Sequence, residues 1–235
     1  MWKYKVNTKE EAGVFVKMLI ESKSENEIIN IGIPGGRSII PILNEFKNIG
    51  KNTSGKIKFY LVDERIDGET NSELLYSNYF NDAVKESLIT KDQIIFPSID
   101  KNNIANSISE YEKLLPNKFD VLIFGVGEDC HIASLFPDNT ENLSNNKIIF
   151  VEESPKPPKE RISLSYKSFN KDASIVLLYF GDEKKDALKK TLSYSKNSNE
   201  NLDATQNAQA KLLNCPASYF FEYSDLHIIT DLDFE

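Results

Sequence analysis

Apolar residues in this chain switch repeatedly between helical spacing and short unbroken runs, the pattern of a parallel sheet wrapped by helices. Thr8 and Glu11 form a capping box, and Ala12, Phe15, Val16 and Leu19 share one face, which predicts a helix from Thr8 to Ser22. Ile28 to Ile33 is an apolar strand that breaks at Pro34-Gly35-Gly36-Arg37-Ser38 before Ile39, Leu43 and Phe46 resume helical spacing. Ile57 to Val62 is a second strand and closes on Asp63-Glu64-Arg65. Helices are expected over Ser72 to Leu88 and Asn102 to Leu115, the latter ended by Pro116. Asp120 to Phe124 is a central strand, nearly free of polar side chains and followed by glycines. Further strands are expected at Ile148 to Val151, Ile162 to Ser165 and Ser174 to Phe180, with closing strands at Tyr219 to Tyr223 and Leu226 to Ile229. Two more helices, Asp182 to Leu192 and Leu202 to Leu213, flank a polar connection over Tyr194 to Asn201. Asp138 to Asn146 reads as an exposed loop able to serve as a lid.

Composition narrows the partners. A net charge of -8 and a pI near 5.0 argue against a nucleic-acid binder, so any anionic ligand must meet a local basic cluster. Cys130 and Cys215 lie far apart without metal-ligand spacing, which points to a reducing compartment. The start carries no apolar signal core, and no run reaches the ~18 residues of a membrane span. A cytoplasmic protein is expected, with residues 1–235 forming one domain and the oligomeric state open between monomer and small homo-oligomer.

Candidate chemistry gathers where strands end in polar turns. Phe119 to Pro137, FDVLIFGVGEDCHIASLFP, delivers Glu128, Asp129 and His131 to the carboxyl end of the central strand, where α/β sheets bind ligands. A carboxylate two residues from an imidazole can fix its tautomer and raise its basicity, as water activation requires. Gly35 and Gly36 between a strand and a helix aim backbone N–H groups at one spot, with Arg37 and Ser38 as added donors: a phosphate cradle, or a plain turn. Asp63 and Arg65 would lie beside both turns, or form a solvated loop pair. In Lys156-Pro157-Pro158-Lys159-Glu160-Arg161 the prolines hold the backbone extended, placing Lys156 and Arg161 as an anion clamp or as solvated cations. His227, inside the last strand, reads as a packed strand residue, and Ser77 and Asn78 are candidates to turn toward the site.

In order, IGIPGGRS at Ile31 to Ser38, VDER at Val62 to Arg65, SNYF at Ser77 to Phe80, the Phe119 to Pro137 stretch and KPPKERISLS at Lys156 to Ser165 resemble the 6-phosphogluconolactonase family from about Ile31 to Leu188. The resemblance implies a Rossmann-like three-layer α/β sandwich with a mostly parallel central sheet, shared with glucosamine-6-phosphate deaminases and ribose-5-phosphate isomerases. The family's glycine-proline-aspartate-glycine-histidine is here Gly127-Glu128-Asp129-Cys130-His131. Cysteine in a left-handed glycine position costs on the order of 1 kcal/mol unless the turn shifts.

The activity implied is hydrolysis of 6-phospho-D-glucono-1,5-lactone to 6-phosphogluconate in the oxidative pentose phosphate pathway. No cofactor or metal is required, because a lactone carbonyl is already electrophilic. His131 is the candidate general base, oriented by Asp129 or Asp63. Gly35, Gly36, Arg37, Ser38, Arg65, Lys156 and Arg161 are the candidate phosphate, sugar or oxyanion ligands. A glucosamine-6-phosphate deaminase is the rival reading. Members of that family resemble a phenylalanine-asparagine-glutamate-proline continuation, where this chain has Ser134-Leu135-Phe136-Pro137. A catalytically silent sugar-phosphate binder is the third. Cys130, between Asp129 and His131, is expected to border the substrate pocket as an accessible thiol, with Cys215 remote from it.

Overall fold

Strands built from β-branched and aromatic residues with apolar side chains on both faces are stable only when covered on both sides. In the computed structural model, which describes residues 1–196 and 204–234, such strands form the centre. Among the described residues the strands are β1 (Trp2–Lys5), β2 (Ile29–Ile33), β3 (Ile57–Leu61), β4 (Asp63–Arg65), β5 (Ile94–Ile95), β6 (Val121–Gly125), β7 (Ile148–Val151), β8 (Arg161–Leu164), β9 (Ser174–Tyr179) and β10 (Leu226–Thr230). The helices are α1 (Lys9–Glu21), α2 (Ile40–Glu45), α3 (Lys51–Ser54), α4 (Asn71–Leu75), α5 (Asn81–Lys85), α6 (Ile104–Leu114), α7 (Lys185–Lys196) and α8 (Ala204–Asn214). A seven-stranded sheet runs β1-β10-β9-β6-β2-β3-β5, every neighbouring pair parallel. A second, antiparallel sheet runs β4-β8-β7.

Period-two alternation sorts the central strands between two cores. Val121, Ile123, Val176 and Leu178 pack with α1 and α2 residues such as Ala12, Val16, Ile42 and Leu43. Leu122, Phe124, Ile175 and Leu177 face the opposite core, which includes Ile149, Ile162 and Leu164 of the second sheet. The result is the expected α/β layering with a parallel centre. The chain proceeds from β2 to β3 in one direction and from β6 to β9 and β10 in the other, so the topological switch lies between β2 and β6. Ligands of open α/β sheets bind at that crevice, beyond the carboxyl ends.

Several expectations change. Asp63-Glu64-Arg65 is not a loop closing β3 but a strand of the second sheet, with Asp63 opposite Ser163 and Arg65 opposite Arg161. Tyr219 to Tyr223 is largely 3-10 helix, within Pro216–Glu222, because Phe220 is buried against Phe124 and Phe169 rather than pairing in a ladder. Residues 155–159 bend back, with Ser154 N–H donating to Lys159 O at 2.9 Å, so this segment is not the extended rod expected. Thr8 caps α1 through Glu11 N–H, but Glu11 reaches back to the N–H of Asn7. The expected connection over 194–201 lies mostly outside the described residues, and α7 continues to Lys196.

Candidate active site

Gly125, Val126 and Gly127 carry the chain out of β6 into a tight turn. It is closed by Gly127 N–H donating to His131 O (2.8 Å) and Cys130 N–H donating to Gly127 O (3.0 Å). Cys130 adopts the left-handed conformation that glycine favours, φ +72°, so the turn has kept its shape at the cost of cysteine strain. Asp129 and His131 thereby face each other, Nδ1 of the imidazole 2.5 Å from Oδ1 of the carboxylate. Gly127 is required by this pair: a Cβ there would stand 2.0 Å from His131 Nδ1 and 2.6 Å from Asp129 Oδ1. Half-burial pushes the Asp129 carboxyl up, but the bond and charge of His131, with help from Lys156, outweigh it and hold the group well below the carboxylate range. With Nδ1–H donated to Asp129, the imidazole lone pair resides on Nε2. Phe136 packs against the ring, tilted by 36° with 4.6 Å between centroids.

His131 lines a cavity of about 350 Å³ at the switch point, together with Gly35, Gly36 and Ser38 after β2, Asp63 and Arg65 of β4, and Arg161 of β8. Arg65 and Arg161 are direct cross-strand partners, an arrangement of like charges that destabilises a ladder unless something anionic lies close. Asp63 supplies part of the compensation, its Oδ2 3.9 Å from Arg161 Nη1. Burial raises the Asp63 pKa against the bond from Ser134 (2.7 Å) and the nearby cations. Burial likewise lowers that of Arg161, opposed by Asp63 and assisted by Arg65. The remaining guanidinium nitrogens of Arg161 are committed: Nε to Pro158 O, and Nη2 to Lys156 O and Pro157 O. Nη1 is the face left for a ligand. Arg65 Nε is buried with no hydrogen-bond partner among the described residues.

The geometry thus brings together His131, Asp129, Asp63, Gly35, Gly36, Ser38, Arg65 and Arg161. Asp129, not Asp63, contacts the imidazole. Arg37 does not join them; its side chain is 81% exposed, 3.9 Å from Glu69. Lys156 lies outside the cavity lining but within electrostatic reach of Asp129. Ser77 and Asn78 are exposed and bond within their own helix. The 138–146 loop borders a different cavity, near 860 Å³, and is anchored by Asn142 Nδ2 donating to Phe136 O and Leu212 O.

Cys130 overturns its expectation. Its side chain is fully buried, facing away from the cavity toward Ala187 O (3.5 Å) and Thr191 Oγ1 (3.8 Å), and Cys215, equally buried, shares that threonine at 3.5 Å. Hydrogen bonding between the two free thiols is the largest influence on both, raising the pKa of Cys130 and lowering that of Cys215.

Four lining residues escaped sequence reasoning. Asn71, 3% exposed, donates to Asp63 O at 3.0 Å and packs so tightly on Gly35 that a Cβ there would lie 2.0 Å from Asn71 Cγ. Buried Glu64 positions it, accepting from Asn71 N–H (2.6 Å) and Ser72 N–H (2.9 Å). Lys184 follows the Gly181 turn at the carboxyl end of β9, a location that itself marks a ligand-facing residue. Lys9 and Glu183 complete the rim. Four lining cations against two carboxylates leave this cavity positive on an acidic protein.

A family model described as glucosamine-6-phosphate isomerases/6-phosphogluconolactonase matches residues 7–214. A 6-phosphogluconolactonase of Borreliella burgdorferi is 34% identical over 220 residues, covering 88% of this chain and 86% of the relative. A probable 6-phosphogluconolactonase of Drosophila melanogaster is 25% identical over 174 residues, 72% of this chain and 71% of its own. Among solved structures, 6-phosphogluconolactonase from Thermotoga maritima superposes with a TM-score of 0.73 at 20% identity, covering 97% of each chain. A monomeric glucosamine-6-phosphate deaminase gives the same score at 16% identity, covering 98% of this chain and 97% of its own. At these identities the structures establish the three-layer fold, which both activities share.

Proposed function

The chain belongs to the glucosamine-6-phosphate isomerase/6-phosphogluconolactonase family, and from that premise we propose that it hydrolyses 6-phospho-D-glucono-1,5-lactone, with His131 as general base. The observation that carries this reading is the Asp129–His131 pair, held at 2.5 Å beside a positively lined cavity. Nε2 takes a proton from water as the water oxygen bonds to the lactone carbonyl carbon. The oxyanion collapses, the carbon–ring oxygen bond breaks, and the imidazolium returns the proton to the departing oxygen. Asp129 fixes the tautomer and steadies the transient imidazolium. Arg161 Nη1 is the candidate donor to the oxyanion, held by its bonds to the 156–158 carbonyls so that little reorganisation accompanies reaction. The 6-phosphate is assigned to Gly35, Gly36 and Ser38 with Arg65 and Lys184. Arg37 and Lys156 stay outside the first contacts.

Phe136 favours the lactonase over the deaminase. It occupies the position where the deaminase pattern carries its glutamate, and its ring packs on the imidazole, 1% exposed. Because the cavity draws on both sheets, residues 1–235 are read as one domain with a small-molecule substrate and no nucleic-acid partner. Among the described residues no helix is long and apolar enough to cross a membrane. The proposed setting is the cytoplasm, as monomer or small homo-oligomer. The test generates the lactone in situ and follows its loss against an enzyme-free control. Hydrolysis faster than the control is expected from wild type, with most of that excess rate lost in His131→Ala. Ammonia release from glucosamine 6-phosphate without lactone hydrolysis would overturn the assignment.

A further inference from the structure

Lys9 is the first residue of α1, directly after the Thr8 cap, where the helix dipole is positive and a cation is unfavourable. Its side chain nevertheless leaves the helix end for the cavity mouth. Nζ sits 5.8 Å from the centroid of Phe180, the residue between β9 and the Gly181 turn, and Lys9 lines the cavity beside Phe180, Glu183 and Lys184. Among the described residues neither lysine ammonium has a carboxylate within 4 Å or a hydrogen-bond partner. Other exposed lysines do find partners, as Lys101 does with Asp67 and Lys159 with Glu153. An ammonium kept half-buried on an aromatic face, without a counter-ion, at the edge of a positively lined cavity is placed to receive an anion from solution.

We propose that Lys9 is a specificity-determining residue that contacts the phosphate group of the substrate from the α1 side of the cavity. The assignment rests on the lactonase reading above. Sugar phosphates are dianions at neutral pH, and two unpaired ammonium groups on one rim supply the matching charge, while Phe180 holds the Lys9 stem where the anion arrives. A lactone lacking the phosphate gains nothing from Lys9, so the residue separates phosphorylated from unphosphorylated substrates by binding and not by chemistry.

The experiment compares Lys9→Ala, Lys9→Arg and His131→Ala on 6-phosphogluconolactone and on unphosphorylated glucono-1,5-lactone. For Lys9→Ala, KM on the phosphorylated lactone rises about 5- to 10-fold with kcat within about twofold, as expected for one charge-assisted bond at a partly exposed site. On the unphosphorylated lactone its kcat/KM stays within about twofold, because no bond is lost there. Lys9→Arg recovers most of the affinity. An unchanged KM in Lys9→Ala, or equal losses on both lactones, overturns the role of Lys9. Undiminished activity in His131→Ala instead overturns the lactonase mechanism, so the two failures are distinguishable. Folding is checked by urea unfolding, which Lys9→Ala is expected to leave unchanged or slightly improved, since a cation is removed from the positive helix end.

Discussion

Gly127→Ala tests whether the Asp129–His131 geometry carries the chemistry. The added Cβ would stand 2.0 Å from His131 Nδ1, 2.1 Å from Cε1 and 2.6 Å from Asp129 Oδ1. Every one of these atoms belongs to the proposed catalytic pair. Relief to ordinary contact requires the ring to retreat by at least about 1 Å or the turn to open, and either breaks the 2.5 Å Nδ1–Oδ1 bond. A displacement of ~1 Å in a reacting group costs roughly 10² in rate, and an added methyl in a packed turn destabilises by about 1–3 kcal/mol. The double-mutant cycle sharpens the test. His131→Ala alone should lower the catalysed rate by about 10²–10⁴, and adding Gly127→Ala should then cost less than about threefold more, because the ring that was pushed is gone. The stability loss of Gly127→Ala should shrink in the same background, measured by urea midpoint. Rates are lactone loss above the spontaneous reaction. Near-wild-type activity in folded Gly127→Ala, or independent multiplication of the two effects, would refute the argument.

Arg161→Ala should destabilise the fold by about 3–5 kcal/mol, because it strands buried Asp63 and three carbonyls, whereas Arg65→Ala should cost under about 1 kcal/mol while raising KM; urea unfolding and kinetics separate them. Neither Cys130 nor Cys215 should react with an alkylating agent in the native protein, with or without 6-phosphogluconate, while both react once unfolded; mass spectrometry of each peptide decides, and rapid native labelling of Cys130 would place the turn wrongly. Asp129 is depressed in the folded state, so its contribution to stability is present above its unfolded pKa near 4 and is lost as pH falls toward the lower folded value. The difference in urea midpoint between wild type and Asp129→Asn should therefore narrow from pH 7 to pH 3, and a gap that is constant or widening over that range would contradict the depressed pKa. Asp129→Asn should also slow hydrolysis at least about tenfold at neutral pH by releasing the tautomer.

What could be read in advance was local. The unbroken run ending at Gly125 is short and closed by glycines, which suits a covered central strand, and the helix faces from Thr8 and Asn102 are period signals that tertiary contacts reinforce. The turn at Gly127 to His131 was legible because its residues form a closed local circuit. The second sheet was not. β4 is three residues long, separated from β3 only by Val62, and its partner lies about a hundred positions away, so no periodicity marks it. The Tyr219 to Tyr223 run has strand composition but fills an aromatic layer instead, a choice made by packing against Phe124 and Phe169. Asn71, Lys9 and the thiol pair become visible only when segments distant in sequence are brought together. Lys184 was within reach of reasoning, because the strand-end rule applied to β6 applies equally to β9.

The second sheet explains why a cavity so short of carboxylates can exist in a chain of net charge -8. Pairing β4 with β8 sets Arg65 against Arg161, and the ladder fixes that opposition by backbone bonds that neither side chain can relax. Folding must then stabilise the cations without neutralising them. Asp63 does so only in part, since its carboxylate is divided among Ser134, Asn71 and a guanidinium 3.9 Å away, and burial works against its charge. The carbonyls of Lys156, Pro157 and Pro158 hold Arg161 by three dipoles that carry no net charge, so the positive potential persists at Nη1. An incoming phosphate or developing oxyanion completes what the protein leaves incomplete. The interaction is strongest in the transition state, when negative charge on the former carbonyl oxygen is greatest, and so it accelerates reaction as well as binding substrate.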